Sequence, residues 1–218
     1  MDHPLSALWP LVDLRIRVGD IELRLPEEAD LAALAALAAA GIHDPAKMPF
    51  STPWSDAPPD ERARSVVQWH WKGRAEWTPP NWHLQLVTVK SGQIVGTQSI
   101  QAKDFAITRE VDTGSWLGRA HQGGGVGTAM RAGVLHLAFS GLGATAARSG
   151  AFTDNPASRR VSEKLGYQAD GTETLARRGA PASLCRWILT RSAWEASANR
   201  PVVEIAGLSP CLELFGAL

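Results

Sequence analysis

Seven residues, Gln122-Gly123-Gly124-Gly125-Val126-Gly127-Thr128, have the composition of a turn that leaves backbone N–H groups unpaired. They follow a strand-like run, Val111 to Leu117, and open a helical one from about Val126 to Phe139. A glycine-rich strand-to-helix turn gathers amides at the positive end of a helix dipole, where phosphate is held without a charged side chain. Two familiar glycine loops do not fit. The loop ending Gly-Lys-Ser/Thr lacks its lysine, because Thr128 directly follows Gly127. The dinucleotide pattern G-x-G-x-x-G fails too, with Thr128 or Met130 where its last glycine belongs. What fits is Gln-x-x-Gly-x-Gly, at Gln122, Gly125 and Gly127.

A second block lies about thirty residues on, Asp154-Asn155-Pro156-Ala157-Ser158-Arg159-Arg160-Val161-Ser162-Glu163-Lys164-Leu165-Gly166-Tyr167. Read physically, Asn155 is an N-cap and Pro156 takes the first helical position, where its missing N–H costs nothing. Val161 and Leu165 share one helix face, Gly166 ends the helix, and Tyr167 begins a strand. The two blocks in this order resemble the GCN5-related N-acetyltransferases. In that family the first is the pyrophosphate loop of coenzyme A, and the second reads Asn-x-x-Ser/Ala-x-x-Val/Leu…Lys-x-Gly-Phe/Tyr. Asp112-Thr113-Gly114-Ser115-Trp116-Leu117 is similar to the strand that precedes the loop in the RimJ/RimL-type branch. An actinobacterial subgroup, some of whose members use succinyl-CoA, also shares Asp44-Pro45…Met48-Pro49-Phe50…Pro53-Trp54, Lys103-Asp104-Phe105 and a C-terminal Leu-Phe-Gly. The likeness runs from about Leu14 to Gly216.

The resemblance implies direct transfer of an acyl group, acetyl or succinyl, from acyl-CoA to an amine, with no metal. It places the CoA site at Trp116, Leu117, Gln122, Gly123, Gly124, Gly125, Val126, Gly127, Thr128, Asn155 and Ser158. Backbone N–H groups near Trp116 and Leu117 would polarise the thioester carbonyl. Asp112 matches a carboxylate that takes the acceptor's proton, directly or through water. An acid beside Arg109 also reads simply as a surface ion pair. The tyrosine that reprotonates the thiolate in relatives falls at Ser162, a poorer acid, so that step departs from the pattern: either Ser162 acts as the catalytic acid through water, or the thiolate leaves unaided. A succinyl donor would call for a cation or a backbone-amide nest near the acyl end; Arg109, Lys103 and His43 are the side-chain candidates. The acceptor is a protein N-terminus, a lysine or a small amine. A non-catalytic acyl-CoA binding or sensing module is the alternative, and an unrelated nucleotide-binding domain leaves the second block unexplained.

The 218 residues suit one domain, 1–218, with about 191–218 as a C-terminal extension. Balanced charge, 22 basic against 22 acidic residues, gives no global pull toward nucleic acid or anionic membrane. Locally, Arg119, Arg131, Arg148, Arg159, Arg160 and Lys164 face only Asp154 and Glu163 over Arg119–Lys164, a net of +4. Cys185 and Cys211 make no disulfide framework, and the six histidines show no ligand spacing. No charged start precedes an apolar run, so a soluble, cytoplasmic protein is expected.

These segments must be positioned by the rest of the chain. Period-2 alternation marks strands at Leu14–Val18 and Ile21–Leu25, and further strands are expected at Trp82–Val89, Ile94–Ala102, Glu110–Leu117, Ala144–Phe152, Tyr167–Ala176 and Ser183–Leu189. Helices are expected after Pro26, over Pro59–Glu76, from Val126, and over Pro156–Leu165. The fold class is α/β: a mixed, largely antiparallel central sheet of about seven strands flanked by helices, with a C-terminal extension. The proline-bearing stretch from Ile42 to Pro59, aromatic and long, reads as a functional loop. Trp54, Trp69, Trp71, Trp77 and Trp82 are candidates for an acceptor-pocket wall. The apolar tail (Val202, Val203, Ile205, Leu208, Leu212, Leu214, Phe215) must be buried on its own domain or on a second subunit, and a homodimer is expected.

Overall fold

The computed structural model describes residues 3–218. In chain order the elements are β1 (Arg15–Val18), β2 (Ile21–Arg24), α1 (Glu28–Ala40), α2 (Pro59–Ala75), β3 (Asn81–Lys90), β4 (Gln93–Lys103), α3 (Phe105–Thr108), β5 (Glu110–Leu117), α4 (Val126–His136), β6 (Ala146–Phe152), α5 (Pro156–Lys164), β7 (Gln168–Arg177), β8 (Ala180–Thr190), α6 (Arg191–Ala196) and β9 (Glu204–Ala206). One sheet runs β7-β8-β6-β5-β4-β3-β2-β1-β9. Every pairing is antiparallel except β5 with β6.

That parallel pairing is short. It covers Glu110↔Ala146, Val111↔Ala147 and Asp112↔Arg148, after which the strands diverge. From Thr113 to Leu117, β5 is paired only with β4, and from Ser149 to Phe152, β6 is paired only with β8. The sheet therefore opens into a fork whose closed end is the Asp112–Arg148 pair. Thr113 sits at that end and donates its hydroxyl to the Arg148 carbonyl across the gap (3.2 Å). Gly96 of β4 allows β5 to run close by, since a Cβ there would lie 2.3 Å from the Trp116 carbonyl oxygen.

Helices cover both faces. α4 lies on the face carrying Leu84, Leu86, Ile100 and Val111, all buried, and its Met130, Val134 and Leu137 turn stretch join them in the main core. α1 and α2 cover the opposite face, where Leu34, Ala38, Val66 and Val87 form a smaller cluster against Trp54 and Trp116. α1 begins with a capping box: the Glu27 carboxylate accepts from the N3 amide, and the Glu27 N–H donates to Asp30 (2.8 Å). α5 is capped as its sequence suggests, the Asn155 side-chain oxygen accepting from the Ser158 amide (3.2 Å).

The sheet has nine strands rather than about seven: all eight runs expected as strands join it, and the tail adds a ninth. The tail strand β9 pairs with β1. Two short helices, α3 and α6, were not expected, and α4 ends at His136 with one wider turn, Leu137–Gly141, beyond it. The apolar tail docks on its own chain. Phe215 and Cys211 are fully buried, and Trp77 and Trp82 donate their indole N–H groups to the Leu214 and Phe215 carbonyls (2.9 and 3.0 Å).

Candidate active site

The glycine loop sits at the open mouth of the fork. Gly123 and Gly125 are left-handed (φ +79° and +82°), and Gly125 caps α4. Gly123, Gly124 and Gly125 are exposed with nothing near their Cβ positions, so the backbone is open to a bulky anion. Among the described residues the amides of residues 123–127 donate to no protein acceptor. The Thr128 amide is already bonded to the Gly125 carbonyl (3.0 Å) and is not among them. Val126 is buried in the core and contributes only backbone. The Gln122 side chain faces inward, donating to the Ile42 and Leu117 carbonyls (2.7 and 2.9 Å). It braces the loop to the end of β5 rather than reaching outward for a ligand. Asn155 and Ser158 start α5, which packs beside α4 at the same mouth.

Trp116 turns to the α1–α2 face, where its ring meets Trp54 (5.8 Å), while Leu117 is buried. The loop from Ile42 to Pro58 is held over this face by the β7–β8 hairpin tip. Arg177 pairs with Asp154 (2.7 Å) and donates to the Met48 carbonyl, and Arg178 pairs with Asp56 and donates to the Pro45 carbonyl. Both nitrogens of His43 are engaged, with the Asp44 carbonyl (2.8 Å) and the Ser55 hydroxyl (2.7 Å). Arg109 lies over the Phe105 ring, 5.4 Å from its centre, so the ion pair considered for Asp112 is absent. Arg148 instead pairs with Glu110 and Asp170 (2.7 and 2.6 Å).

On the α2 face, at the closed end of the fork, lies a cleft of about 250 Å³. Asp112 opens into it in one row with Gln101 and His83, cross-strand partners in adjacent strands. Trp69 and Trp82 form walls, and Lys72, Glu76 and Lys103 ring the rim. Of the five candidate wall tryptophans, Trp69 and Trp82 are at the cleft. Trp77 backs Trp82 from the core side (5.8 Å), Trp54 is under the loop, and Trp71 is exposed beside Glu28 (3.4 Å). Protein bulk around Asp112 pushes its carboxyl above the usual range; Arg148 opposes this and Glu110 adds to it.

His83 is a site residue the sequence reading passed over. Burial pushes it down to about 4, so it is neutral at pH 7. The Gln85 amide donates to its Nδ1 (3.1 Å), which places the proton on Nε2, and that atom has no partner among the described residues. The available signal was polar residues at alternate positions of an apolar strand: His83 and Gln85 between Trp82, Leu84 and Leu86. Ser162, by contrast, is fully buried, and its hydroxyl has no partner among the described residues. No group of three or more His, Cys, Asp or Glu gathers among the described residues in a way that would hold a metal.

A forked mixed sheet, unpaired loop amides at the fork's mouth and a carboxylate at its closed end together define an acyl-CoA-dependent transferase architecture. Residues 20–168, about two thirds of the chain, match the acetyltransferase (GNAT) domain model, and the protein belongs to that family. Solved structures share the fold. RimJ of Mycobacterium smegmatis, in complex with CoA-disulfide, is 21% identical with a TM-score of 0.67 over 88% of this chain and 97% of its own. RimL, a ribosomal L7/L12 α-N-protein acetyltransferase in complex with coenzyme A, is 19% identical with a TM-score of 0.65 over 82% and 99%. The microcin C7 self-immunity acetyltransferase MccE, in complex with acetyl-CoA and AMP, is 18% identical with a TM-score of 0.62 over 79% and 93%.

Proposed function

We propose that this protein transfers an acyl group from acyl-CoA to the primary amine of a protein N-terminus, a lysine or a small molecule. One observation carries the reading: the unbonded amides of residues 123–127 lie at one end of the fork, and the Asp112 cleft lies at the other, on the opposite face. In this reading the donor's diphosphate rests on the loop and the first turn of α4, held by backbone amides and the helix dipole. Its pantetheine arm lies along the unpaired edge of β5 between Thr113 and Leu117, where free strand groups can hydrogen-bond to it. The acceptor enters from the α2 face, and Asp112 takes its proton, directly or through a water shared with Gln101 and His83. A raised carboxyl is a stronger base than an ordinary one, which suits the task.

The RimJ/RimL-type branch and its actinobacterial subgroup remain part of this proposal, with acetyl and succinyl as donors. Of the cations weighed for succinyl, Lys103 is at the cleft, whereas Arg109 is stacked and His43 is engaged. The cleft mixes acids with lysines and is open to solvent, which favours a peptide N-terminus over a polycationic drug. The reading takes residues 1–218 as one acyltransferase domain acting in the cytoplasm. The buried Ser162 favours one alternative, an acyl-CoA sensor without turnover. Calorimetric titration with acetyl-CoA, succinyl-CoA, CoA and ATP, followed by a thiol-release assay over peptide and small amines, tests both. Binding of CoA compounds with thiol release supports the transferase; binding without release across the panel supports the sensor; no CoA binding overturns both.

A further inference from the structure

Arg131 has no place in the reaction as described so far. It projects from α4 toward the fork and is only 4% exposed. No carboxylate lies within ion-pair reach of it among the described residues. Its Nη1 donates to the Ser149 hydroxyl (2.9 Å) and its Nη2 to the Ser115 hydroxyl (3.4 Å), while Nε has no partner. A guanidinium is costly to bury without a counter-charge. Such a group persists where something it does repays that cost.

The two serines belong to the two diverging strands. Ser115 lies on β5 three residues past the last parallel pair, and Ser149 lies on β6 one residue past it. Arginine has no hydrogen-bond acceptor, so both serine oxygens accept from it. Their own O–H hydrogens are left free, and neither hydroxyl has another partner among the described residues. Two hydroxyl donors, polarised by one buried cation, therefore flank the gap from either side, close to its closed end.

We infer that Arg131, Ser115 and Ser149 form a receptor for the thiolate that leaves coenzyme A. This rests on the reading that acyl-CoA threads the fork. As the amine nitrogen bonds to the carbonyl carbon, the C–S bond breaks and its electron pair stays on sulfur; the nitrogen's proton goes to Asp112 or its water. The serine O–H groups hydrogen-bond to the developing thiolate, and Arg131 supplies the fixed positive charge behind them. No general acid is required, which accounts for an enzyme of this family with a sealed serine at the place of the acidic tyrosine. Preorganised donors of this kind, aimed at a charge that appears during reaction, are an efficient form of catalysis. The ionisable groups around the fork are Arg131 from α4, Tyr167 from the turn after α5, and Asp112 and Arg148 on the opposite face. The buried Tyr167 hydroxyl bonds to Thr113 (3.5 Å) and lies beside Arg131, and Arg148 pairs with its two carboxylates, so at the fork Arg131 is the cation without a carboxylate partner.

Free CoA and desulfo-CoA, which differ only in the thiol, provide the test. In calorimetric titrations from pH 6.5 to 9, wild type should prefer CoA, and the preference should grow with pH toward the ordinary thiol value of about 8.5. A one-unit lowering of the bound thiol corresponds to about tenfold in the affinity ratio. In Ser115→Ala/Ser149→Ala and in Arg131→Met, the ratio should fall to one at every pH while desulfo-CoA affinity is kept. The double serine variant removes only two hydroxyls, so it serves even if Arg131→Met fails to fold. Equal binding of both compounds by wild type, or a pH-dependent preference that survives in the serine variant, overturns the inference and leaves the acyltransferase reading standing. Binding of neither compound overturns that reading, and the inference with it.

Discussion

Phe215 tests whether the tail is part of the machine or an appendage. Its ring is fully buried, 4.9 Å from Trp82 and 5.4 Å from Trp77, and Trp82 is a wall of the Asp112 cleft, the acceptor site in the proposed function. Phe215→Ala deletes a buried aromatic side chain from a site braced by neighbouring backbone, so a cavity should persist. Such deletions cost about 3–5 kcal/mol. For a chain of this size each kcal/mol lowers Tm by about 2–4 °C, giving an expected drop of roughly 6–20 °C. The carbonyls of Leu214 and Phe215 still accept from the indoles in the variant, which keeps the tail docked and the loss within that range. Differential scanning fluorimetry reads the first effect. The second concerns function: Trp82 should loosen and weaken acceptor KM, while the glycine loop, at the far end of the fork, should keep its affinity for CoA. A Tm within about 2 °C of wild type would refute the packing argument. Equal losses in acceptor and CoA affinity would refute the claim that the tail acts on the cleft alone.

Asp112→Asn should cut turnover sharply with little change in CoA affinity, and wild-type turnover should rise with pH through the raised carboxyl. A raised acid loses stability as pH rises from its unfolded to its folded value, so the same variant should melt no lower than wild type at pH 7; lowered Tm with full turnover would remove Asp112 from the mechanism. His70 and His83 are pushed by burial to about 3 and about 4, so each is neutral in the fold and its share of stability is present above about 6.5 and lost as pH falls below it. Urea unfolding between pH 6.5 and 4.5 should lose up to about 2.7 kcal/mol per pH unit from the two together, and His70→Leu should halve that slope; an unchanged slope would refute the assignment. Gly96→Ala forces a Cβ to 2.3 Å from the Trp116 carbonyl, so it should destabilise the protein by about 1–3 kcal/mol and weaken CoA binding, and a neutral result by both measures would show that β5 can shift freely.

Most of the scaffold was legible because its signals are local. Alternation located β1 and β2, the runs expected as β3 through β6 fall within a few residues of the observed strands, and Asn155, Pro156 and Gly166 bounded α5 through cap chemistry that needs only a few adjacent positions. The short helices α3 and α6 were missed, for they lack a run long enough to show a period. The tail was legible as apolar but not as an edge strand, because β9 is defined by its partner β1, nearly two hundred residues away in sequence.

The site divides along the same line. Backbone-borne functions follow from sequence, since the left-handed turns at Gly123 and Gly125 need only glycine in the right places. Side-chain functions depend on which way a strand or helix faces, and spacing alone misreads them. Gln122 looks like a ligand yet braces backbone; Arg148 and Arg131 both count as positive charge near the cofactor, yet one is neutralised by Glu110 and Asp170 and the other is buried beside two serines. The distinction is energetic. A paired arginine on the sheet surface costs little and signals little. A buried one without an acid is costly in every state of the protein except one in which an anion lies beside it, and an enzyme whose product is a thiolate makes such an anion at each turnover.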